Sequence, residues 1–302
     1  VTACLTFAGT WAAPGTGYPS DVAQACADVV EEIPVQAPWS FGPIPPYDDQ
    51  GARAPSYQES VGIACDWAVD WILSNPDRPI MLGGYSQGGE AASRVRAEFD
   101  PGGRLAGLRH NFVAGYCFGN PSRHLEHTFH GGPPTDGEGI AQFRLPPIGP
   151  EWCELVDTYD LYAGVPATLT GEIMRDVYTL CTQLQLHDMR AFARDLAANC
   201  IAVVQNLDGD AYDDLIGGSA RHGVDLTGAS LFPPEDFALI DDKILSVKGI
   251  AAAIQAAILG IQFLCWQPPT APHIEYHLRE VFPGQTYLQL GVQHVRDWAS
   301  RP

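Results

Sequence analysis

The pentapeptide Gly84-Tyr85-Ser86-Gln87-Gly88 has the composition of a nucleophile elbow. In such a turn a strand runs into a helix so sharply that small residues must flank the serine, whose hydroxyl is pushed clear of the backbone. The flanks fit, with a short buried-strand run, Pro79-Ile80-Met81-Leu82, on one side and helical sequence over 90–99 on the other. The N–H groups heading that helix then point at the reacting centre. A serine hydroxyl needs a base, and the base needs a group that orients it. On a parallel sheet these partners follow in chain order, carboxylate and then histidine, each on a loop after a later strand.

The expected strand 153–159 ends at Asp160-Leu161-Tyr162, so Asp160 stands at a strand's carboxyl end, where α/β sheets gather their chemistry. Asp157, inside that expected strand, is the second candidate. Of nine histidines, those after Asp160 are 187, 222, 273, 277 and 294. His187 and His294 fall in helical sequence, and His222 lies in a Gly-flanked loop. His273 follows Pro272 in a loop close to where the last core helix must dock, with His277 one helical turn later. His273 is favoured as base over His277, and Asp160 as orienter over Asp157. An oxyanion forming at Ser86 needs backbone donors. Gln87 supplies one, and the loop after the first strand, Gly9-Thr10, supplies the other, with the Thr10 hydroxyl in reserve.

The elements that must carry these residues alternate. Strand-like runs at 5–7, 79–82, 111–116 and 153–159 are separated by helical stretches at 21–32, where Ser20 is the expected N-cap, at 57–75 and at 90–99. Residues 34–55 are Pro-rich loop. This alternation specifies an α/β fold with a mainly parallel sheet covered by helices on both faces. After Ala163 the chain reads as mostly helical, over 170–184, 187–206, 236–247 and 249–266, before a last helix at 291–299. Residues 164–262 are therefore a helical insertion into a core made of 1–163 and 263–302. The stretch 249–266 carries no charge, yet Gln255 and Gln262 share one face, which suits a buried helix better than a membrane span.

Composition removes whole classes of partner. With 17 basic and 36 acidic residues the net charge is −19, which opposes nucleic acid and charge-driven docking on anionic lipid. Neutral, cationic and apolar partners remain. The eight cysteines form no CxxC pair and are too sparse for a disulfide scaffold, so small buried thiols are expected. His124, His127 and His130 form an HxxHxxH run with Glu126 as the lone carboxylate, and the Gly-Gly-Pro-Pro that follows marks them as exposed loop histidines rather than a metal site. Asp208, Asp210, Asp213 and Asp214 lack the closing Glu of a calcium loop and read as a solvated acidic loop. No nucleotide-binding glycine motif is present, and no cofactor is expected. The chain opens at Val1 without a basic segment or an apolar signal core, so the expectation is a trimmed start or export without a cleavable signal.

Taken together, Phe7-Ala8-Gly9-Thr10, Gly84-Tyr85-Ser86-Gln87-Gly88-Gly89, Gly119-Asn120-Pro121-Ser122-Arg123, Asp160-Leu161-Tyr162 and Pro272-His273-Ile274-Glu275-Tyr276 resemble the mycobacteriophage lysin B family, which belongs with the cutinase-like α/β-hydrolases. The long helical stretch between Asp160 and His273 favours lysin B over cutinases proper, which join these residues by a short loop. The resemblance implies a serine esterase that needs no metal and cleaves the ester between mycolic acids and arabinogalactan. It would be made in the infected cell and act on the outer wall at host lysis. It also implies Ser86 as nucleophile, Asp160 as orienter and His273 as general base and then acid. Two features depart from the pattern. Ala8 stands where cutinases usually have Arg, and Cys153 has no obvious partner beyond Asp160 for the bridge that braces the Asp loop in secreted cutinases. A secreted cutinase or lipase acting on other long-chain lipid esters is the neighbouring reading. A catalytically inactive wall-binding module is the reading from another class.

Overall fold

In the computed structural model the described residues are 1–41, 54–125, 127–128, 137–183, 267–268 and 270–301. Strands β1 (Thr2–Phe7), β2 (Val30–Pro34), β3 (Ile80–Tyr85), β4 (Phe112–Phe118) and β6 (Trp152–Leu155) form one sheet in the order β2-β1-β3-β4-β6. Every pairing in it is parallel. Because both faces are covered, β1, β3 and β4 are buried along nearly their whole length instead of alternating. Ala3, Leu5 and Phe7 of β1 join one core, and Cys4 between them joins the other.

On the first face lie α2 (Tyr57–Ser74) and α3 (Gln87–Ala97), which bury Val61, Ala64, Ala68 and Ile72 together with Ala91 and Val95. On the second lie α1 (Tyr18–Ala25) and the last helix, α6 (Tyr287–Ala299), which bury Val22, Leu290 and Val295. Helices α2 and α6 each begin with a capping box, Ser56 with Glu59 and Thr286 with Gln289, which satisfies two N-terminal donors in each. The expected architecture, a mainly parallel sheet flanked by helices, is the one the chain adopts.

Several local expectations change. The helix expected over 21–32 ends at Ala25, and Val30–Pro34 is instead the edge strand β2, paired only with β1. An edge position tolerates Pro34, which has no N–H to give, and leaves Glu31 and Glu32 reach to solvent and to neighbouring polar groups. Indeed, Thr6 Oγ1 donates to Glu32 and Arg78 pairs with Glu31. Gly17, not Ser20, is the N-cap of α1, and Pro19 lies in its first turn. The strand expected over 153–159 is only Trp152–Leu155, which puts Asp157 beyond the strand rather than within it. His273 lies on a four-residue helix, α5 (Ala271–Ile274), rather than in a loop.

Short elements absent from the sequence reading complete the described chain. β5 (Gly137–Glu138) pairs antiparallel with β7 (Val165–Pro166), and β8 (Glu280–Phe282) with β9 (Gln285–Thr286). Of the expected insertion, α4 (Leu169–Gln183) is described and matches the helix expected at 170–184. The expectations for 187–206, 236–247 and 249–266, with those for His187, His222 and Asp208 to Asp214, lie outside the described residues. Among the described residues no helix is long and apolar enough to cross a membrane.

Candidate active site

Sheet order fixes where the site must be. From β1 the chain moves outward to β2 and then back across to β3, so the connections leave β1 and β3 in opposite directions. A crevice opens at the carboxyl ends of that pair, the usual ligand position in open α/β sheets. Gly9-Thr10 leave β1 there, and Ser86 follows β3 directly. The register pairs Phe7 with Gly84, which sets the two loop starts side by side.

Ser86 has φ 54° and ψ −121°, a left-handed backbone that costs an L-residue about 1–3 kcal/mol and persists only when its surroundings enforce it. Backbone hydrogen bonds and close backbone contacts enforce it here. Ser86 N–H donates to Phe118 O on β4 at 3.1 Å, and Ser86 O accepts from Gly89 N at 2.8 Å. A Cβ on Gly84 would sit 2.6 Å from Gly88 O, and one on Gly88 would run into Phe7 O and Ala8 O. The two flanking glycines are thus required by backbone contacts, and α3 packs directly on the end of β1. Gln87 is the first residue of α3, so its N–H has no acceptor within the helix and faces the crevice end. Its side chain is buried and donates to Ser40 O at 2.9 Å. Thr10 is half-buried in a turn closed by Ala12 N–H on Gly9 O at 3.1 Å, and Trp11 within that turn has φ 63°.

Residues from three distant parts of the chain meet at Ser86. Its Oγ lies 2.9 Å from His273 Nε2, and His273 Nδ1 lies 2.8 Å from Asp160 Oδ2. With Nδ1–H donating to the carboxylate, Nε2 carries its lone pair toward the serine hydroxyl, the tautomer that proton abstraction needs. Asp160 is fully buried, and its other oxygen accepts from Tyr162 N–H at 2.9 Å.

Tyr276, wholly buried, donates to Asp160 Oδ2 at 2.5 Å, the same oxygen that His273 uses. Burial, and then the Asp160 charge, push the Tyr276 phenol well above its ordinary range, so it remains a donor at any working pH. The imidazole is held by rings on two sides, Tyr85 stacked at 5.2 Å and Tyr162 at 4.5 Å, and Tyr85 Oη donates to His273 O at 3.0 Å. Gly119, with φ 53°, backs the Asp–His pair so closely that a Cβ there would lie 2.7 Å from both Asp160 Oδ2 and His273 Nδ1. Beneath, the buried Arg123 donates to Ala163 O and His127 O at 2.7 Å each and also to Gly137 O, which fixes the segment after Asp160.

The structure brings Ser86, Asp160 and His273 together and directs the other candidates elsewhere. Asp157 pairs with Arg279 at 2.5 Å and caps Tyr159 N–H. His277 is exposed, with Nδ1 3.0 Å from Tyr18 Oη. His294 is in α6, as its helical sequence indicated, and burial lowers its pKa to about 4. His127 departs from the exposed loop expected of it. It is buried, Nε2 lies 2.9 Å from Ile148 O, and burial lowers its pKa. His124 is half-buried, and His130 is outside the described residues. Among the described residues no group of three His, Cys, Asp or Glu is placed to hold a metal. Cys4, Cys26, Cys65, Cys117 and Cys153 are free and buried.

Tyr276, Tyr85, Tyr162 and Gly119 carried no role in the sequence reading of the chemistry. All four stand inside or beside the short motifs that surround the candidate residues, and that position is the one signal that could have singled them out.

No protein-family model matches this chain, and no curated protein sequence matches it. Solved structures do resemble it. Lysin B from Mycobacteriophage D29 aligns over 98% of this chain and 98% of its own at 18% identity, with a TM-score of 0.49. The catalytic core domain of acetyl xylan esterase from Trichoderma reesei aligns over 61% of this chain and 98% of its own at 19% identity and a TM-score of 0.43. A cutinase-like protein from Cryptococcus sp. aligns over 51% and 74% at 12% identity, with a TM-score of 0.36.

Proposed function

We propose that this chain is a serine ester hydrolase in which Ser86 is the nucleophile, His273 the general base and then acid, and Asp160 the residue that orients His273. The observation that carries this reading is the continuous hydrogen-bonded chain Ser86–His273–Asp160 at the carboxyl end of β3, beside the free N–H of a helix N-terminus. His273 Nε2 takes the Ser86 proton as Oγ attacks the ester carbonyl carbon. The resulting oxyanion is received by the N–H groups of Gln87 and Thr10. Collapse expels the alcohol, which leaves with the proton from His273. Water then gives a proton to the same nitrogen, attacks the acyl-enzyme and frees the acid. None of these steps calls on a metal or cofactor.

For the substrate, the reading is the ester between mycolic acids and arabinogalactan, cleaved at the outer cell wall during phage-mediated lysis. Its motif support is the resemblance in the sequence. Its physical support is the apolar surface that accompanies the site. Trp11, Tyr159 and Ile274 are each a chain neighbour of Thr10, Asp160 or His273, and all three are large apolar side chains left exposed, as is Leu278. Exposed apolar side chains next to the site residues suit a long acyl chain better than a polar polymer.

The test is release of free mycolic acids from purified mycolyl-arabinogalactan, followed by chromatography, with Ser86→Ala as control. Release by the parent and none by the variant supports both chemistry and substrate. Cleavage of short p-nitrophenyl esters without mycolate release would leave the esterase and remove the substrate, pointing to a cutinase- or lipase-like enzyme. Failure on both would point to a wall-binding module.

A further inference from the structure

Between α2, α3, α4 and the segment at 141–143 lies a cleft of about 150 Å³. It is lined by Gln58, Arg94, Gln142, Phe143, Tyr178 and Thr179 around the buried carboxylate of Glu90. Its charge is balanced. Arg94 donates through Nε and Nη2 to Glu90 Oε1 at 3.1 and 2.8 Å, and Tyr57 Oη donates to Glu90 Oε2 at 3.1 Å. Glu90 and Arg94 are the charged residues of the lining and they cancel, so the cleft offers nothing net to an anion or a cation.

What it does offer is a neutral hydrogen-bonding wall. Two amides, Gln58 and Gln142, donate and accept. Thr179 Oγ1 gives its proton to Arg175 O and keeps acceptor capacity. The Glu90 pair leaves Arg94 Nη1 unused. Phe143 and Tyr178 add aromatic surface, and Arg94 lies 4.7 Å over the Phe143 ring, which holds that side of the wall in place. The volume matches a cavity that accepts one six-membered ring.

The cleft also has a defined relation to Ser86. Glu90 and Arg94 stand four and eight residues along α3 from the serine, about 6 and 12 Å at the helical rise. On the other side Tyr178 contacts Tyr162 at 6.5 Å, and Tyr162 contacts His273 at 4.5 Å. The residues of α3 that line the cleft are thus set one ring's width or more along the helix from Ser86, and the Tyr162 ring lies between Tyr178 and His273. Building on the esterase reading above, we propose that this cleft is a subsite for one neutral, hydroxyl-rich ring: the sugar unit next to the one that carries the ester. It adds saccharide selectivity on the alcohol side of a site whose rim is apolar.

The test separates binding from turnover. With the full chain, saturation-transfer NMR and titration with arabinobiose, which has no ester to cleave, measure occupancy of the cleft. The parent should bind with a millimolar constant. Gln142→Ala and Thr179→Val should each weaken binding by about fivefold, the worth of one neutral hydrogen bond. The same variants should lower by a similar factor the ratio of kcat/KM for butanoyl-arabinobiose to that for p-nitrophenyl butanoate. Gln142 is exposed, so that variant keeps its fold even if Thr179→Val does not. No saturation transfer in the parent, or equal binding by parent and Gln142→Ala, overturns the subsite. Absent hydrolysis of both esters would instead count against the esterase reading, while the arabinobiose titration would still decide the cleft.

Discussion

Replacing Gly119 by alanine adds one methyl group directly against the Asp160–His273 pair. The new Cβ would lie 2.7 Å from Asp160 Oδ2 and from His273 Nδ1, against 3.4 Å or more for ordinary contact, so each atom must retreat by roughly 0.7 Å. Neither can do so freely. Asp160 is tied to Tyr276 through Oδ2 and to Tyr162 through Oδ1, and the imidazole is held between Tyr85 and Tyr162. The 2.8 Å Asp–His bond is what gives way, and the ring turns off the Ser86 line.

Complete loss of the orienting carboxylate costs a serine triad about 10⁴ in kcat, so partial displacement should cost about 10²-fold, or about 2.7 kcal/mol in the barrier. The left-handed φ of 53° adds about 1–2 kcal/mol of strain to the folded state. The variant should therefore melt several degrees lower yet stay folded at 20 °C, which circular dichroism checks. Hydrolysis of p-nitrophenyl butanoate and the rate of fluorophosphonate labelling give the chemical readout. Gly62→Ala is the control, because it lies exposed in α2 with nothing near its would-be Cβ. It should keep full turnover and gain up to about 1 kcal/mol of stability. A folded Gly119→Ala protein that turns over within threefold of the parent would refute the reasoning.

Substitutions at three other positions probe separate parts of the same structure. Tyr276→Phe keeps the ring packed against Phe118 and Tyr287 but removes a charge-assisted donor from Asp160, so turnover should fall about tenfold and stability by about 1.5–3 kcal/mol. Unchanged kinetics in Tyr276→Phe would make that bond incidental. Ser86→Gly and Ser86→Ala should both be inactive, but glycine relieves the left-handed strain and should be the more stable by about 1 kcal/mol in chemical denaturation. Equal stabilities would mean that the elbow stores no strain. Glu154, buried beneath the site, has its pKa raised by burial to about 7 from 4.5. Its folded form holds the proton more tightly than its unfolded form, so the stabilising contribution is complete below pH 4.5 and is lost as pH rises through 7. Glu154→Gln still accepts from Trp152 and Asn120, and should flatten the fall in melting temperature between pH 5 and 8.

Ser86 was legible in the sequence because its constraint is local. The glycines at 84 and 88 answer to backbone atoms within a few residues or on the adjoining strand end, so the requirement survives as a pattern. Asp160 and His273 were legible only through chain order, since the bond between them spans 113 positions. Tyr276 and Gly119 were not legible as functional residues. Tyr276 acts on Asp160 across 116 positions, and Gly119 acts by having no side chain at all. The lost strand β2 has a similar cause. Val30-Glu31-Glu32-Ile33-Pro34 has helix-compatible glutamates and follows a true helix, and only pairing with β1 makes it a strand. Glu154 inverts the usual expectation. A glutamate in a strand of four residues reads as an exposed position, yet Trp152 and Asn120 receive it inside the core.

The division of labour within the site follows from these placements. Asp160 is anchored by Tyr162, Tyr276 and His273, and His273 in turn by two rings and the Tyr85 hydroxyl. Ser86 is pinned by backbone bonds to β4 and to its own helix. Each of these anchors is made by the sheet, its immediate loops or the returning segment 271–276, and together they leave the reacting atoms little freedom. The groups proposed to meet a substrate beyond the ester are of another kind, the exposed Trp11, Tyr159 and Ile274 and the neutral cleft beside α3. Replacements there leave the anchors of Asp160 and His273 in place, whereas replacements at Gly119 or Tyr276 act on the anchors themselves. Selectivity in this protein can thus change without rebuilding its chemistry, and comparing one rim variant, Trp11→Ala, with Gly119→Ala tests that directly. The rim variant should raise KM for long acyl esters with kcat on short esters kept, and the glycine variant should lower kcat for both. If Trp11→Ala lowered kcat on short and long esters alike, rim and reacting centre would be a single unit.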